Sequence, residues 1–251
     1  MNILIITAAG KASRFHDVGY DSPKFLLPWT NNNPILTTII DELCYSNKID
    51  FILLIVNYRE KYFKDRIEDC LPENIKNKII YVKDTLGQAH TTYIGVEELI
   101  KLKLEDNPII VHNSDTILKN RNIDLLTSFD IDLDVCGYVN TFQSMDKNYS
   151  YVLESDGLVN SFLEKKIVSP LASSGLVSFS SGKKFHNIFN KLMKDNLEGD
   201  ELFISKLINE SIKTGDIYKI NHNESAEDTI VLGTPEEYCK AYTLDSTGLG
   251  N

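Results

Sequence analysis

Short, wholly apolar runs alternate in this chain with segments whose apolar residues recur at helical spacing. The runs are Asn2-Ile3-Leu4-Ile5-Ile6, Asp50 to Asn57, Lys78 to Lys83 and Pro108 to His112. A run without polar alternation reads as a buried strand covered on both faces, the habit of a parallel sheet. Between the runs, Pro34 to Ser46 carries Ile35, Ile39, Ile40 and Leu43 on one stripe, with Pro34 suited to the first helical turn. Arg59 to Cys70 reads as an exposed amphipathic helix closed by Leu71-Pro72, and Gln88 to Leu102 as another helix. Strand and helix in this order predict an α/β fold with a mostly parallel central sheet and helices on both faces.

The second half changes character. Asp132 to Thr141 reads as a strand, and Tyr149 to Glu154 with Leu158 to Glu164 as a hairpin about the turn Ser155-Asp156-Gly157. Gly175 to Ser180 is a further strand. Lys183 to Lys194 puts Phe185, Ile188, Phe189, Leu192 and Met193 on one helical face, leaving His186 and Asn187 to solvent. Asp200 is placed to cap a helix with Leu202, Phe203, Leu207, Ile208 and Ile212 inward. Strands near 216–220 and 229–232, a Gly233-Thr234-Pro235 turn and a last helix complete one domain over residues 1–245. Its mostly parallel first half is 1–130, its β-rich second half 131–245, and 246–251 are expected to be a loose tail.

At 251 residues, 42% hydrophobic and 25% charged, the chain can bury a large core. A net charge of -10 argues against nucleic acid or an anionic membrane as partner. Cys44, Cys70, Cys136 and Cys239 are scattered without a Cys-x-x-Cys pair and read as reduced thiols. No apolar run approaches the ~20 residues of a membrane span, and the start lacks a signal-peptide pattern, so a cytoplasmic location is expected. A homo-oligomer is left open.

Chemistry concentrates in the loops. The first strand empties into Thr7-Ala8-Ala9-Gly10-Lys11-Ala12-Ser13-Arg14-Phe15, with Ser22-Pro23-Lys24 close behind. Small residues and glycine leave backbone amides open to an anion, and Lys11, Arg14 and Lys24 add three cations to an otherwise acidic chain. By composition alone this is a solvated basic loop; it is the order of residues that points to a triphosphate. A P-loop is excluded, since Ala12 follows Lys11 and no earlier glycine has the required spacing. A dinucleotide fold is excluded because its Gly-x-Gly-x-x-Gly turn is missing and the second strand ends on Val56-Asn57. Thr85-Leu86-Gly87-Gln88-Ala89 either starts a helix plainly or offers amides to a polar ligand. Asp115, just past the fourth strand, either caps the next segment or sits where open α/β folds place ligands. The hairpin end Glu164-Lys165-Lys166 could equally be solvated.

Together, the Ala-Ala-Gly loop with Ser-Arg and Pro-Lys, the Gly87 loop, strand-then-Asp115, Glu164-Lys165, Ser173-Ser174-Gly175 and the closing Gly233-Thr234-Pro235-Glu236 resemble the nucleotidyltransferases with a GT-A-like fold. The resemblance implies a single-domain, Rossmann-like three-layer αβα architecture and a Mg²⁺-dependent transfer of a nucleoside monophosphate with release of pyrophosphate. It assigns Arg14, Lys24 and Asp115 to catalysis. Thr7, Ala8, Ala9, Gly10, Lys11, Ser13, Gly87 and Gln88 would hold the nucleotide, and Glu164, Lys165, Ser174 and Gly175 a phosphorylated acceptor. Asp115 would bind the metal. Val231 stands where many members carry a second metal aspartate, so either Asp228 substitutes for it or Asp115 works alone. Within the family the first motif looks close to cytidylyltransferases, including those of bacterial capsule modification. That favours CTP as donor and a small charged phosphorylated acceptor such as phosphoglutamine, with sugar-1-phosphate and phosphocholine transfer open. A GT-A glycosyltransferase would need Asp-x-Asp where Asn113-Ser114-Asp115 stands. A non-catalytic relative would lack the acid or cations that are present.

Overall fold

Strand β1 (Ile3–Ala8) is buried along its whole length because its two faces serve two different cores. Leu4, Ile6 and Ala8 pack on one side of the sheet, and Ile3 and Ile5 on the other. β2 (Phe51–Asn57) repeats the pattern, with Ile52, Leu54 and Val56 facing one way and Phe51, Leu53 and Ile55 the other. The first core is covered by helix α2 (Ile35–Cys44) and the second by α4 (Gln88–Lys101), α6 (Gly182–Asp195) and α7 (Ile204–Lys213). Two apolar faces per strand therefore produce three layers. The computed structural model describes residues 1–121, 123–127, 129, 135–195, 201–223 and 225–246. Asp200, residues 132–134 of the strand expected from Asp132 to Thr141 and residues 247–251 of the expected tail lie outside them.

One mixed nine-stranded sheet runs through both halves, in the order β3-β2-β1-β4-β9-β6-β10-β8-β7. Here β3 is Lys76–Val82, β4 Ile109–Asn113, β6 Val135–Gln143, β7 Tyr151–Ser155, β8 Leu158–Leu163, β9 Leu171–Phe179 and β10 Ile217–Asn223. Only β3-β2-β1-β4 and β6-β10 pair in parallel; β9 is antiparallel to β4 and β6, and β8 to β7 and β10. The expected mostly parallel sheet is thus corrected. The reason is β9, which also pairs with β7 through Tyr151 and Ala172 and closes the second half into a ring of strands.

Other expectations also change. Residues 59–70 form a 3₁₀ segment (Tyr58–Phe63) and a short helix α3 (Lys64–Glu68), not one amphipathic helix. The strand expected from Gly175 begins earlier, at Leu171, and Ser174-Gly175 form a bulge within β9, with Gly175 at φ 81° and the register with β6 shifting between Val139 and Thr141. His186 is half-buried and paired, its Nε2 lying 2.7 Å from Glu97 and its ring stacked on Tyr93. Two unforeseen short elements, α1 (Ser13–Asp17) and α5 (Asp124–Thr127), appear. A two-stranded sheet joins β5 (Thr116–Leu118) to β11 (Thr229–Val231), followed by helix α8 (Pro235–Ser246). Among the described residues, no helix is long and apolar enough to cross a membrane.

Candidate active site

The loops after β1, β3 and β4 leave the same edge of the sheet and enclose a cavity of about 760 Å³. Thr7, Ala9, Gly10, Lys11 and Lys24 line one side of it, Thr85, Leu86, Gly87 and Gln88 the other, and Ser114 and Asp115 the floor. A second cavity of about 350 Å³ lies beside it, walled by the β7–β8 hairpin, the β9 bulge and the turn after β11. Gln88, Asn113, Asp115, Glu164 and Phe203 border both. Asp115 therefore stands on the partition between them.

The partition is held from several directions. Thr7 Oγ1 donates to the His112 carbonyl at 3.1 Å, and His112 Nε2 pairs with the Thr116 carbonyl at 2.8 Å across the turn that carries Asp115. The Leu232 amide donates to the Asp115 carbonyl at 2.7 Å, seating the last loop against the same turn. Lys24 Nζ donates to Asp115 Oδ2. Burial alone would push this carboxyl up, but the charge and hydrogen bond of Lys24, together with smaller contributions from the turn, hold it below the ordinary carboxylate range. His112 is fully buried and pushed down to about 4 by desolvation, so it is neutral at pH 7.

Most of the predicted site residues converge here. Ala8 is buried and lines neither cavity, while Ser13 is exposed at the start of α1 and also lines neither. Arg14 borders the smaller cavity and not the loop-lined one where the triphosphate was expected. Ser174 and Gly175 border the smaller cavity, although the Ser174 hydroxyl turns inward to Asn140 Oδ1 at 2.6 Å. Glu164 accepts from the Ser150 hydroxyl, and Lys165 Nζ lies 5.7 Å from the centre of the Phe203 ring. Asp228 is the clear departure. It lies at the far end of β11, bonded by Asn120 Nδ2 at 3.2 Å, and borders neither cavity. The register Thr229↔Leu118 to Val231↔Thr116 carries the chain away from Asp115 over those residues, which separates the two carboxylates. Among the described residues, no group of three or more His, Cys, Asp and Glu is arranged to hold a metal.

Several lining residues escaped the sequence reading. Phe203 has apolar helical spacing but is extended (φ −83°, ψ 150°) one residue before α7, so its ring meets the cavities and not the core. Asn113, Glu201 and Tyr149 carry no local signal. Glu237 could have been found: Thr234-x-x-Glu237 is a capping box, with the Thr234 amide donating to Glu237 at 2.8 Å and the Glu237 amide to Thr234 Oγ1 at 3.2 Å.

Residues 3–246 match the family model described as nucleotidyl transferase. The chain belongs to the nucleotidyl transferase family. No curated protein matches its sequence. Among solved structures, this nucleotidyl transferase is similar to the nucleoside-diphosphate-sugar pyrophosphorylase of Vibrio cholerae RC9, with a TM-score of 0.79 at 23% identity, covering 97% of this chain and 100% of that one. It is also similar to the inositol-1-phosphate CTP transferase of T. maritima, with a TM-score of 0.77 at 14% identity, covering 98% and 95%. At such identities the likeness establishes the mixed α/β fold.

Proposed function

We propose that this nucleotidyl transferase moves CMP from CTP to a small phosphorylated acceptor such as phosphoglutamine and releases pyrophosphate, in the cytoplasm and in surface-polysaccharide modification. The observation that carries the reaction class is Asp115, paired to Lys24 on the wall between a glycine-loop cavity and a hairpin-walled cavity. A donor in one and an acceptor in the other would meet at that wall. An acceptor phosphate oxygen attacks the α-phosphorus, a new P–O bond forms, and the bond to the bridging oxygen of pyrophosphate breaks on the opposite side. The nucleophile is ionised near pH 7, so no general base is needed. The chain's task is alignment and charge neutralisation.

In this reading Gly10 and its neighbours admit the phosphates through backbone amides, while Lys11 and Lys24 offset their charge. Gly87 and Gln88 face the nucleoside. Arg14, on the smaller cavity, is placed to orient the attacking phosphate, with Glu164 and Lys165 on the acceptor's remaining charges. A single ionised carboxylate suits Mg²⁺, which takes few protein ligands and completes its shell with phosphate oxygens and water. Asp115 would hold that ion, and the ion would supply further positive charge at the α-phosphate.

Arg14 and Lys165 with the acids Glu164 and Glu237 around the acceptor cavity suit a charged acceptor at least as well as a neutral ring. The test crosses CTP, UTP, dTTP, GTP and ATP with phosphosugars, inositol phosphate, phosphocholine and phosphorylated amino-acid derivatives, and reads pyrophosphate. CTP with a charged acceptor is the expected best pair. UTP or dTTP with a hexose-1-phosphate would overturn the substrates, and silence throughout would overturn the reaction.

A further inference from the structure

The two nucleotide-facing loops leave strands that do not touch, because β2 lies between β1 and β3. Their spacing across two strand intervals is roughly 10 Å, and a residue at the end of the intervening strand is placed to reach both. Asn57 is that residue. Its Nδ2 donates to the Ala9 carbonyl at 3.2 Å and to Asp84 Oδ1 at 3.0 Å. Its Oδ1 accepts from the Arg59 amide at 3.1 Å and Arg59 Nε at 3.0 Å, so every bond a carboxamide can make is used. Arg59 Nη2 then closes the ring by donating to Asp84 Oδ1. On the other oxygen of Asp84, Lys11 Nζ rests at 3.8 Å, a loose pair on the rim of the larger cavity.

The arrangement solves a charge problem. A carboxylate on the rim of a triphosphate cavity would repel its ligand unless it were neutralised. Arg59 does this without entering the cavity, since it lines neither wall. Because Arg59 and Asn57 keep Asp84 satisfied, Lys11 can leave Asp84 for a phosphate without exposing an unpaired acid. We propose that Asn57, Arg59 and Asp84 are positioning residues for the triphosphate: Asn57 ties the two loops together, and Arg59 neutralises Asp84 so that Lys11 is free to meet a phosphate beside the Gly10 turn. This rests on the nucleotidyl transfer reading given above.

The test begins with calorimetric titration of CTP, UTP, dTTP, GTP and ATP into the wild-type protein. Binding of none would overturn both that reading and the clamp. With a triphosphate that binds, Arg59→Ala should weaken it roughly three- to tenfold, the scale of a rim charge, and less at high salt. The KM for acceptor should stay unchanged. The side chains of Arg59 and Asp84 are 38% and 52% exposed, so thermal stability should hardly move. The double variant Arg59→Ala/Asp84→Asn should recover most of the lost affinity, because the uncompensated acid is gone. A purely structural role would make the double variant no better than the single. Normal wild-type binding with an unchanged Arg59→Ala, or a double variant as weak as the single, would overturn the clamp alone.

Discussion

Acidification from pH 7 to pH 5 is expected to cost this fold about 2 kcal/mol through His112 alone. The ring is fully buried, with Nε2 on the Thr116 carbonyl. Charging it would place an imidazolium in the core away from water, which is why desolvation lowers it from 6.5 to about 4. The folded value lies below the unfolded one, so the unfolded chain takes up the proton first. The contribution is complete above pH 6.5 and is lost as pH falls toward about 4. At pH 5 the unfolded ring is almost wholly charged and the folded one about one-tenth charged, a ratio of populations near 30, hence about 2 kcal/mol. For a chain of this length that is a fall in Tm of roughly 4–8 °C. Other groups titrate in the same range, so the measurement compares wild type with His112→Gln, which cannot titrate. Whatever His112→Gln costs at pH 7, its stability should fall by about 2 kcal/mol less on acidification to pH 5. Parallel pH profiles for the two proteins would refute the reasoning.

Lys24→Ala and Asp115→Asn should each lower turnover by about 10²-fold, as expected when a charge aimed at the reacting phosphate is lost. Asp228→Asn should leave turnover unchanged, and a comparable fall there would return Asp228 to the metal site. Asp216, which accepts from Lys184 at 2.5 Å and from Ser211, is held below its ordinary range by these partners against the opposing effect of burial. Its contribution is present above the unfolded value and lost in acid, so Asp216→Asn should cost about 1–3 kcal/mol at pH 7 and much less below about pH 4 by denaturant titration. Gly175→Ala should be more damaging than a surface change, because φ is 81° and the new methyl would meet the Asn113 amide; a Tm within about 2 °C of wild type would contradict this.

The parallel half of the fold was written in the sequence because its signals are local. A strand apolar on every residue must have two covered faces, and a helix shows its stripe within three turns, so β1, α2, β2, β3, α4 and β4 could be read in order. The Asp-Gly hairpin and the glycine loops were legible for the same reason, since turn chemistry depends on a few adjacent residues. What the tertiary structure decided is non-local. Residue 228 stands close in sequence to the expected metal position, yet pairing of β11 with β5 carries it away from Asp115. Arg14 neighbours the first loop but faces the second cavity. Asn57 is an ordinary strand end until β1 and β3 flank it and offer Ala9 and Asp84 to its one amide. The antiparallel course of β9 depends on which strands arrive beside it, and its bulge at Gly175 on a register shift against β6. Periodicity reports which side of an element is apolar; it holds no information on which distant element will cover that side, and that pairing decides which polar groups meet.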